Sequence, residues 1–179
     1  IPNVIIVQVD TLTEGQAMTC LLAKEHIPDD SILTIGASDN DMIYDVQKYK
    51  KIMNNSTCDG LVWTFRNNPS VLQNPYMYGW VKNDNENAKE ILCKTPISDN
   101  PINDHAVIGA FTFKKAKYFF DAVGNMVNDN FRVNNEFYVD IAMDYCIKAN
   151  KSIKIFEVEE YICWGTPQDY IKYIKKKML

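Results

Sequence analysis

Across 179 residues no run of basic side chains offsets the carboxylates, no two cysteines stand at C-x-x-C spacing, and no internal repeat or low-complexity tract appears. Each absence excludes something. With a formal net charge of −4 there is no general electrostatic pull toward nucleic acid. The one cationic run, "IKYIKKKML", has Ile171, Ile174 and Met178 spaced as on an amphipathic surface helix. The cysteines, Cys20, Cys58, Cys93, Cys146 and Cys163, are odd in number and widely spread, as in a cytosolic protein with reduced thiols. No apolar stretch approaches the roughly 20 residues of a membrane span, and the start lacks a basic-then-apolar signal pattern. These absences together predict a soluble cytoplasmic protein without nucleic-acid or membrane partners. No long linker divides the chain, so residues 1–179 are read as one domain, and 46% hydrophobic residues suffice for an ordinary core.

What is present is a repeating order of strand and helix. "VIIVQV" (4–9), "SILTIG" (31–36) and "GLVWTF" (60–65) are short, β-branched and nearly continuous in apolar character, as expected of strands covered on both faces. Between them, "TEGQAMTCLLAKEH" puts Ala17, Cys20, Leu21 and Lys24 on one helical face, with Thr13 and Gln16 as a capping-box pair. "DMIYDVQKYKKIMNN" puts Ile43, Val46 and Met53 on a second helical stripe. A βαβαβ order predicts an α/β domain with a mixed, mostly parallel sheet flanked by helices. After Phe65 the pattern becomes that of a β-hairpin with an Asn/Asp turn. Then follow a strand, "HAVIGAFTF", and a helix with Ala116, Phe119, Phe120, Val123 and Val127 inward. A further helix in "NNEFYVDIAMDYCIKAN", a strand in "SIKIFEVEE", and a closing helix with Thr166 as N-cap and Pro167 at its first position complete the chain.

In an open α/β sheet, ligands bind beyond the carboxyl ends of strands. Asp39, Asn40 and Asp41 lie at such an end, and Mg²⁺ commonly takes one or two carboxylates plus substrate phosphates. Asp39 or Asp41 as the cap of a helix starting near Met42 is the plainer alternative. Gly15 permits a flat ligand to approach the backbone, and Gln16 can donate and accept at a base edge. Asn135, Glu136 and Asp140 surround a helix start, where oxygens can meet sugar hydroxyls or a metal. Gly109 inside a strand marks a close approach to the backbone.

In chain order, "TEGQAMTCLLA", "SDN" at the place of a "GDN", "YG" at Tyr78 and Gly79, "CKTP" for "EKP", "HAVIGAFTF", "NNEFYVD" and "WGTPQDY" resemble the sugar nucleotidyltransferases. These are the sugar-1-phosphate pyrophosphorylases such as glucose-1-phosphate thymidylyltransferase, and the likeness is to their capsule-biosynthesis branch. The resemblance implies a GT-A-like, Rossmann-type fold. It also implies Mg²⁺-dependent transfer of a nucleotidyl group from an NTP to a sugar-1-phosphate or similar acceptor, for capsule or surface polysaccharide precursors. Carried over residue by residue, Gly15 and Gln16 lie against the nucleobase and Asp39 binds Mg²⁺. Lys94 nears the sugar phosphate, and Gly79 through its backbone meets the sugar with Glu136. Gly109 and Asn135 join them as sugar-site candidates.

The chain departs from the family at three places. Val139 stands where the family's second magnesium carboxylate lies, which leaves Asp140 as the candidate. Cys93 replaces the Glu before the Lys. A Gly-rich G-x-G-x-R loop is not in the chain, and "IPNVIIVQVD" matches the interior of the domain. The expectation is therefore a domain truncated at its N-terminus, inactive by itself and prone to self-association. Two other classes fit less closely: a GT-A glycosyltransferase with Asp39, Asn40 and Asp41 as its Asp-x-Asp motif, and a non-catalytic nucleotidyltransferase-like regulatory subunit.

Overall fold

The computed structural model describes residues 3–177. Its apolar β-branched runs become the core strands. β1 (Leu33–Ile35) and β2 (Asn40–Ile43) follow a short helix α1 (Gln16–Leu21). Helix α2 (Val46–Met53) leads to β3 (Gly60–Phe65), and α3 (Ser70–Gln73) to the hairpin of β4 (Gly79–Asp84) and β5 (Asn87–Cys93). After β6 (His105–Phe113) come α4 (Ala116–Asn128), α5 (Val139–Lys148), β7 (Ile153–Glu157), β8 (Glu160–Cys163) and α6 (Pro167–Lys177).

Six strands form the main sheet in the order β1-β6-β3-β7-β5-β4, while β2 and β8 pair antiparallel as a separate ribbon. The mixed sheet flanked by helices is the predicted α/β architecture, but the expected mostly parallel pairing is corrected: among the described residues β3–β7 is the one parallel ladder of this sheet and the other pairings are antiparallel. Within it β3–β7 is a parallel ladder, and β6, running opposite, enters between β1 and β3 and makes those pairings antiparallel. Each face of the sheet is covered, because alternate side chains of one strand point to opposite sides. Val107, Phe111 and Phe113 join α4 and α5 in one core layer; Ala106, Ile108 and Ala110 join Trp63, Trp80 and Phe156 in the other. Polar groups inside this core are paired: Trp63 Nε1 donates to Thr112 Oγ1 at 3.0 Å, and Thr64 Oγ1 meets His105 Nδ1 at 3.0 Å.

Several sequence expectations are corrected. Residues 4–9 form no strand. The side chains of Val4, Ile5, Ile6 and Val9 are exposed, since an apolar run becomes a strand only where a ladder partner and a face to bury exist. The helix expected from Met42 begins at Val46, because residues 40–43 pair with β8 instead; Ile43 and Val46 are exposed. Asp45 is its cap, accepting from the Gln47 and Lys48 amides, so neither Asp39 nor Asp41 serves there. Thr13 and Gln16 form no capping box. The Thr13 hydroxyl instead meets Thr19 Oγ1 at 2.5 Å. Lys24 is exposed, in a 3₁₀ turn beyond the end of α1, and Val127 of α4 turns outward. Asn135 and Glu136 precede α5 rather than starting it.

Thr166 caps α6 as predicted, and Ile171 and Ile174 lie on an exposed helix; Met178 lies outside the described residues. The five cysteines are unpaired. Among the described residues no helix is long and apolar enough to cross a membrane.

Candidate active site

A cleft of about 340 Å³ opens between the main sheet and the β2–β8 ribbon. It brings together Gln16, Asp39, Gly79, Lys94, Gly109 and Asp140, residues scattered over most of the chain.

One wall is built by chain packed tightly on chain. Gly15 has φ +116°, and a Cβ there would stand 2.7 Å from both the amide nitrogen and the carbonyl oxygen of Phe137. Phe137 donates to Glu14 O at 2.8 Å, and Ala17 donates to Phe137 O at 3.0 Å. The glycine therefore serves a contact within the protein, and it is Gln16 that reaches the cleft. Arg132 holds the facing turn. It donates to Glu14 at 2.9 Å and to Asn135 O at 3.2 Å, with its guanidinium 4.0 Å from the Phe137 ring centroid. In that turn Asn134 and Asn135 have φ of 49° and 65°, left-handed values that asparagine tolerates better than most residues. Neither Asn135 nor Glu136 lines the cleft; Glu136 lies beside Tyr138, which does.

The floor is carboxylate against glycine. Gly79 begins β4 and pairs with Cys93, the last residue of β5. A Cβ on Gly79 would fall 2.5 Å from Asp140 Oδ2, so only glycine leaves room for that carboxyl group. Asp140 is buried in the first turn of α5. Burial raises its pKa to about 6, against the opposing pull of the Cys93 thiol and Lys94. Burial and Asp140 together push the Cys93 thiol up, keeping it protonated. Lys94, at φ +53°, places Nζ 5.2 Å from the Tyr138 ring centroid. The Tyr138 phenol is pushed up to about 12 by burial and by Glu136.

The opposite wall hangs on a few hydrogen bonds. Gly109, at φ +87°, accepts from the Ala37 amide at 3.1 Å, and a Cβ there would lie 3.3 Å from Ala37 Cβ. Here too the close approach is to the protein's own backbone. Asn40 Nδ2 donates to Ile108 O at 2.8 Å, which uses Asn40 structurally. Asp39 is exposed at the cleft edge, its carbonyl accepting from Trp164 N at 2.8 Å. Asp41 lines a different cavity on the other side of the ribbon. The three polar residues do not all converge: Asp39 and Asn40 line the cleft, and Asp41, inside β2, lines the neighbouring cavity.

Cleft residues that the sequence reading passed over lie on β8 and its continuation: Tyr161, Cys163, Gly165 and Asp169. The Thr166 hydroxyl donates to Asp169 Oδ2 at 2.6 Å, while the Asp169 amide donates to Thr166 Oγ1 at 3.2 Å. Thr-Pro-Gln-Asp is the S/T-x-x-D/E capping pattern, a signal that was available for Asp169. Burial raises the Tyr161 phenol strongly, and its ring stacks on Phe65 at 4.2 Å.

Among the described residues no three His, Cys, Asp or Glu side chains converge as an all-protein metal site. The donors present suit a hard ion that borrows ligands: Asp39 is an exposed carboxylate at the cleft edge, and Mg²⁺ completes its shell with water and phosphate oxygens. Asp140, the other candidate, is a buried carboxyl beside the Cys93 thiol, where its charge is disfavoured by burial.

No protein-family model matches the chain, and no curated protein matches it. Solved structures do. A nucleoside-diphosphate-sugar pyrophosphorylase from Vibrio cholerae RC9 superposes with a TM-score of 0.70 at 18% identity, covering 93% of this chain and 67% of the other. A protein from Bacillus anthracis described as a glucose-1-phosphate thymidylyltransferase gives 0.67 at 16%, covering 92% and 61%. A UDP-glucose pyrophosphorylase complexed with UDP-glucose gives 0.69 at 17%, covering 93% and 64%. The chain thus spans a little under two thirds of most of these structures, and what it shares with them is the fold of sugar nucleotidyltransferases.

Proposed function

We propose that the chain carries the acceptor and metal side of a nucleotidyltransferase that moves a nucleotidyl group from an NTP to a sugar-1-phosphate or similar phosphorylated acceptor. One observation carries the reading: Gln16, Asp39, Gly79 and Lys94, far apart in sequence, meet in one cleft of a sheet folded like those pyrophosphorylases.

In the proposed reaction an oxygen of the sugar phosphate attacks the α-phosphorus, that P–O bond forms, and the bond to the β-phosphate oxygen breaks to release pyrophosphate. Such transfers gain most from alignment and charge neutralisation. Gln16 positions the base edge. Asp39 holds Mg²⁺, which when bound offsets the charge of the two polyanions. Lys94, steadied over Tyr138, screens the acceptor phosphate. Gly79 offers its backbone to the sugar, and Glu136 accepts from sugar hydroxyls, with Gly109 and Asn135 shaping the surroundings. The product would feed capsule or surface polysaccharide synthesis in the cytoplasm.

A GT-A glycosyltransferase using an Asp-x-Asp motif is disfavoured by the divergence of Asp39 and Asp41. The test is a product assay: pyrophosphate release that requires both NTP and sugar-1-phosphate supports the proposal, and transfer from a preformed NDP-sugar refutes it. Assayed on the full-length protein, nucleotide binding without either product would place it in the non-catalytic class.

A further inference from the structure

Helix α6 turns an apolar stripe toward water. Pro167, Tyr170, Ile171 and Ile174, spaced at i, i+3, i+4 and i+7, share one face of it. All four are exposed, Tyr170 at 53%, Ile171 at 52% and Ile174 at 38%. We propose that this face docks α6 into the headgroup layer of an anionic lipid surface, with the helix lying parallel to that surface.

The other side of α6 is already engaged. Asp169 accepts from the Thr166 hydroxyl at 2.6 Å, Tyr173 meets the Trp164 ring edge-on at 5.3 Å, and Lys176 is bound to Glu160 at 2.6 Å. These contacts hold the helix against β8 and leave the stripe outward. Lysines border it on both sides. Lys175, one turn beyond Ile171, is exposed, and Lys177 lies over the Tyr173 ring at 5.5 Å. Lysine stems lie along apolar surface while their ammonium groups reach outward, the arrangement that places charge at the level of phosphates and apolar side chains below them.

Charge identifies the occupant. α6 holds four lysines against one aspartate in a chain whose formal net charge is −4, so cationic charge is concentrated on this helix. A second α6 would be repelled. Nucleic acid offers phosphates to the lysines but no apolar interior to Ile171 and Ile174. An acidic partner helix would match the charge, yet 11 residues are too few for a stable helix pair, whereas a bilayer surface sets no such length. Anionic headgroups over acyl chains supply both the charge and the apolar depth. The lack of a spanning helix concerns crossing a membrane; α6 lies on one. Since Asp169 on the engaged side lines the cleft, docking holds the cleft roughly 10 Å, one helix diameter, from the headgroups. None of this depends on the reaction proposed above.

The test is sedimentation of the full-length protein with vesicles of equal parts phosphatidylcholine and phosphatidylglycerol. Binding is expected at low salt, with a loss of about tenfold or more at high salt or on vesicles of phosphatidylcholine alone. The double variant Ile171→Gln, Ile174→Gln should weaken binding by about tenfold, and Lys175→Glu, Lys177→Glu by at least about as much. Ile5 and Ile6 are the competing exposed apolar surface, and Ile5→Asn, Ile6→Asn should leave binding unchanged. A readout that does not depend on the disruptive variants is Tyr170→Trp, whose added emission should shift to the blue on vesicles and be quenched by brominated acyl chains. No sedimentation with the anionic vesicles, equal binding to phosphatidylcholine alone, indifference to both α6 double variants, loss in the Ile5, Ile6 variant, or an unshifted Tyr170→Trp emission would overturn the proposal. So would retention on polyglutamate or nucleic acid without vesicle binding, which would assign the stripe to a soluble polyanion.

Discussion

The two walls of the cleft hold their chemistry in opposite ways. On the wall of α1, β4, β5 and α5, glycines lock backbone against backbone and against Asp140, leaving no room for a methyl group at Gly15 or Gly79. On the ribbon wall, Asp39 is exposed, and the approach to the main sheet is secured by single hydrogen bonds such as Asn40 to Ile108 and Ala37 to Gly109. The same residue type consequently behaves differently. Asp140 is buried, with its charge disfavoured; Asp39 is exposed and open to a cation. In the proposed enzyme, the first wall supplies shape and the second supplies charge.

Substitutions can break that division. In the full-length protein Asp39→Asn should reduce Mg²⁺-dependent pyrophosphate release by about 10³-fold while barely moving the melting temperature, since it removes a charge used in the reaction and no packing. Near-normal turnover would remove Asp39 from the metal. Gly15→Ala should do the reverse. Left-handed strain and two backbone clashes at 2.7 Å should cost about 3 kcal/mol in a denaturant melt. A silent variant would mean that the Phe137 turn yields readily and that the first wall is no tighter than the second.

Asp140 tests the electrostatic half of the contrast. Its folded pKa, about 6, lies above the value of about 3.9 expected in the unfolded chain. Between those values the folded state binds more protons, so this group adds stability as pH falls from 7 toward 4 and loses it again as pH rises. Asp140→Asn should flatten that part of the stability profile and leave the variant more stable than the wild type at pH 7 by about 3 kcal/mol at most. An unchanged slope would show that Asp140 is solvated in the folded state, which would bring it back as a metal ligand.

The smallest effect belongs to the ribbon side. Thr166→Ala removes both halves of the capping exchange with Asp169 and should cost about 1 kcal/mol, seen as faster amide exchange in the first turn of α6. Unaltered exchange would mean that Asp169 is held by other contacts, Cys163 or Lys172, both near its carboxylate.

The candidate site was legible where residue type limits the choice. Gln16, Asp39, Gly79 and Lys94 were picked from strings of a few residues, and all four line the cleft. Glycine carries no side chain to declare its purpose. Gly15 and Gly109 read as places for a ligand; Gly15 is packed against Phe137 and does not line the cleft, while Gly109 lines it and also meets Ala37. Asp169 was missed because its partner Thr166 already had a sufficient role as a helix cap, which drew attention away from the second half of the motif.

The sequence by itself determined those elements whose pattern is local: the buried strands β3 and β6 from continuous β-branched and aromatic runs, the β4–β5 hairpin from its Asn/Asp turn, the inward face of α4, and the Thr166 cap. Tertiary structure alone decided whether residues 4–9 would be a strand, since that requires a pairing partner. It also decided that residues 40–43 join β8 rather than α2, and hence that Asp39 and Asp41 face different cavities. Local preference sets how a segment bends, but a ladder forms only between segments brought together from distant parts of the chain.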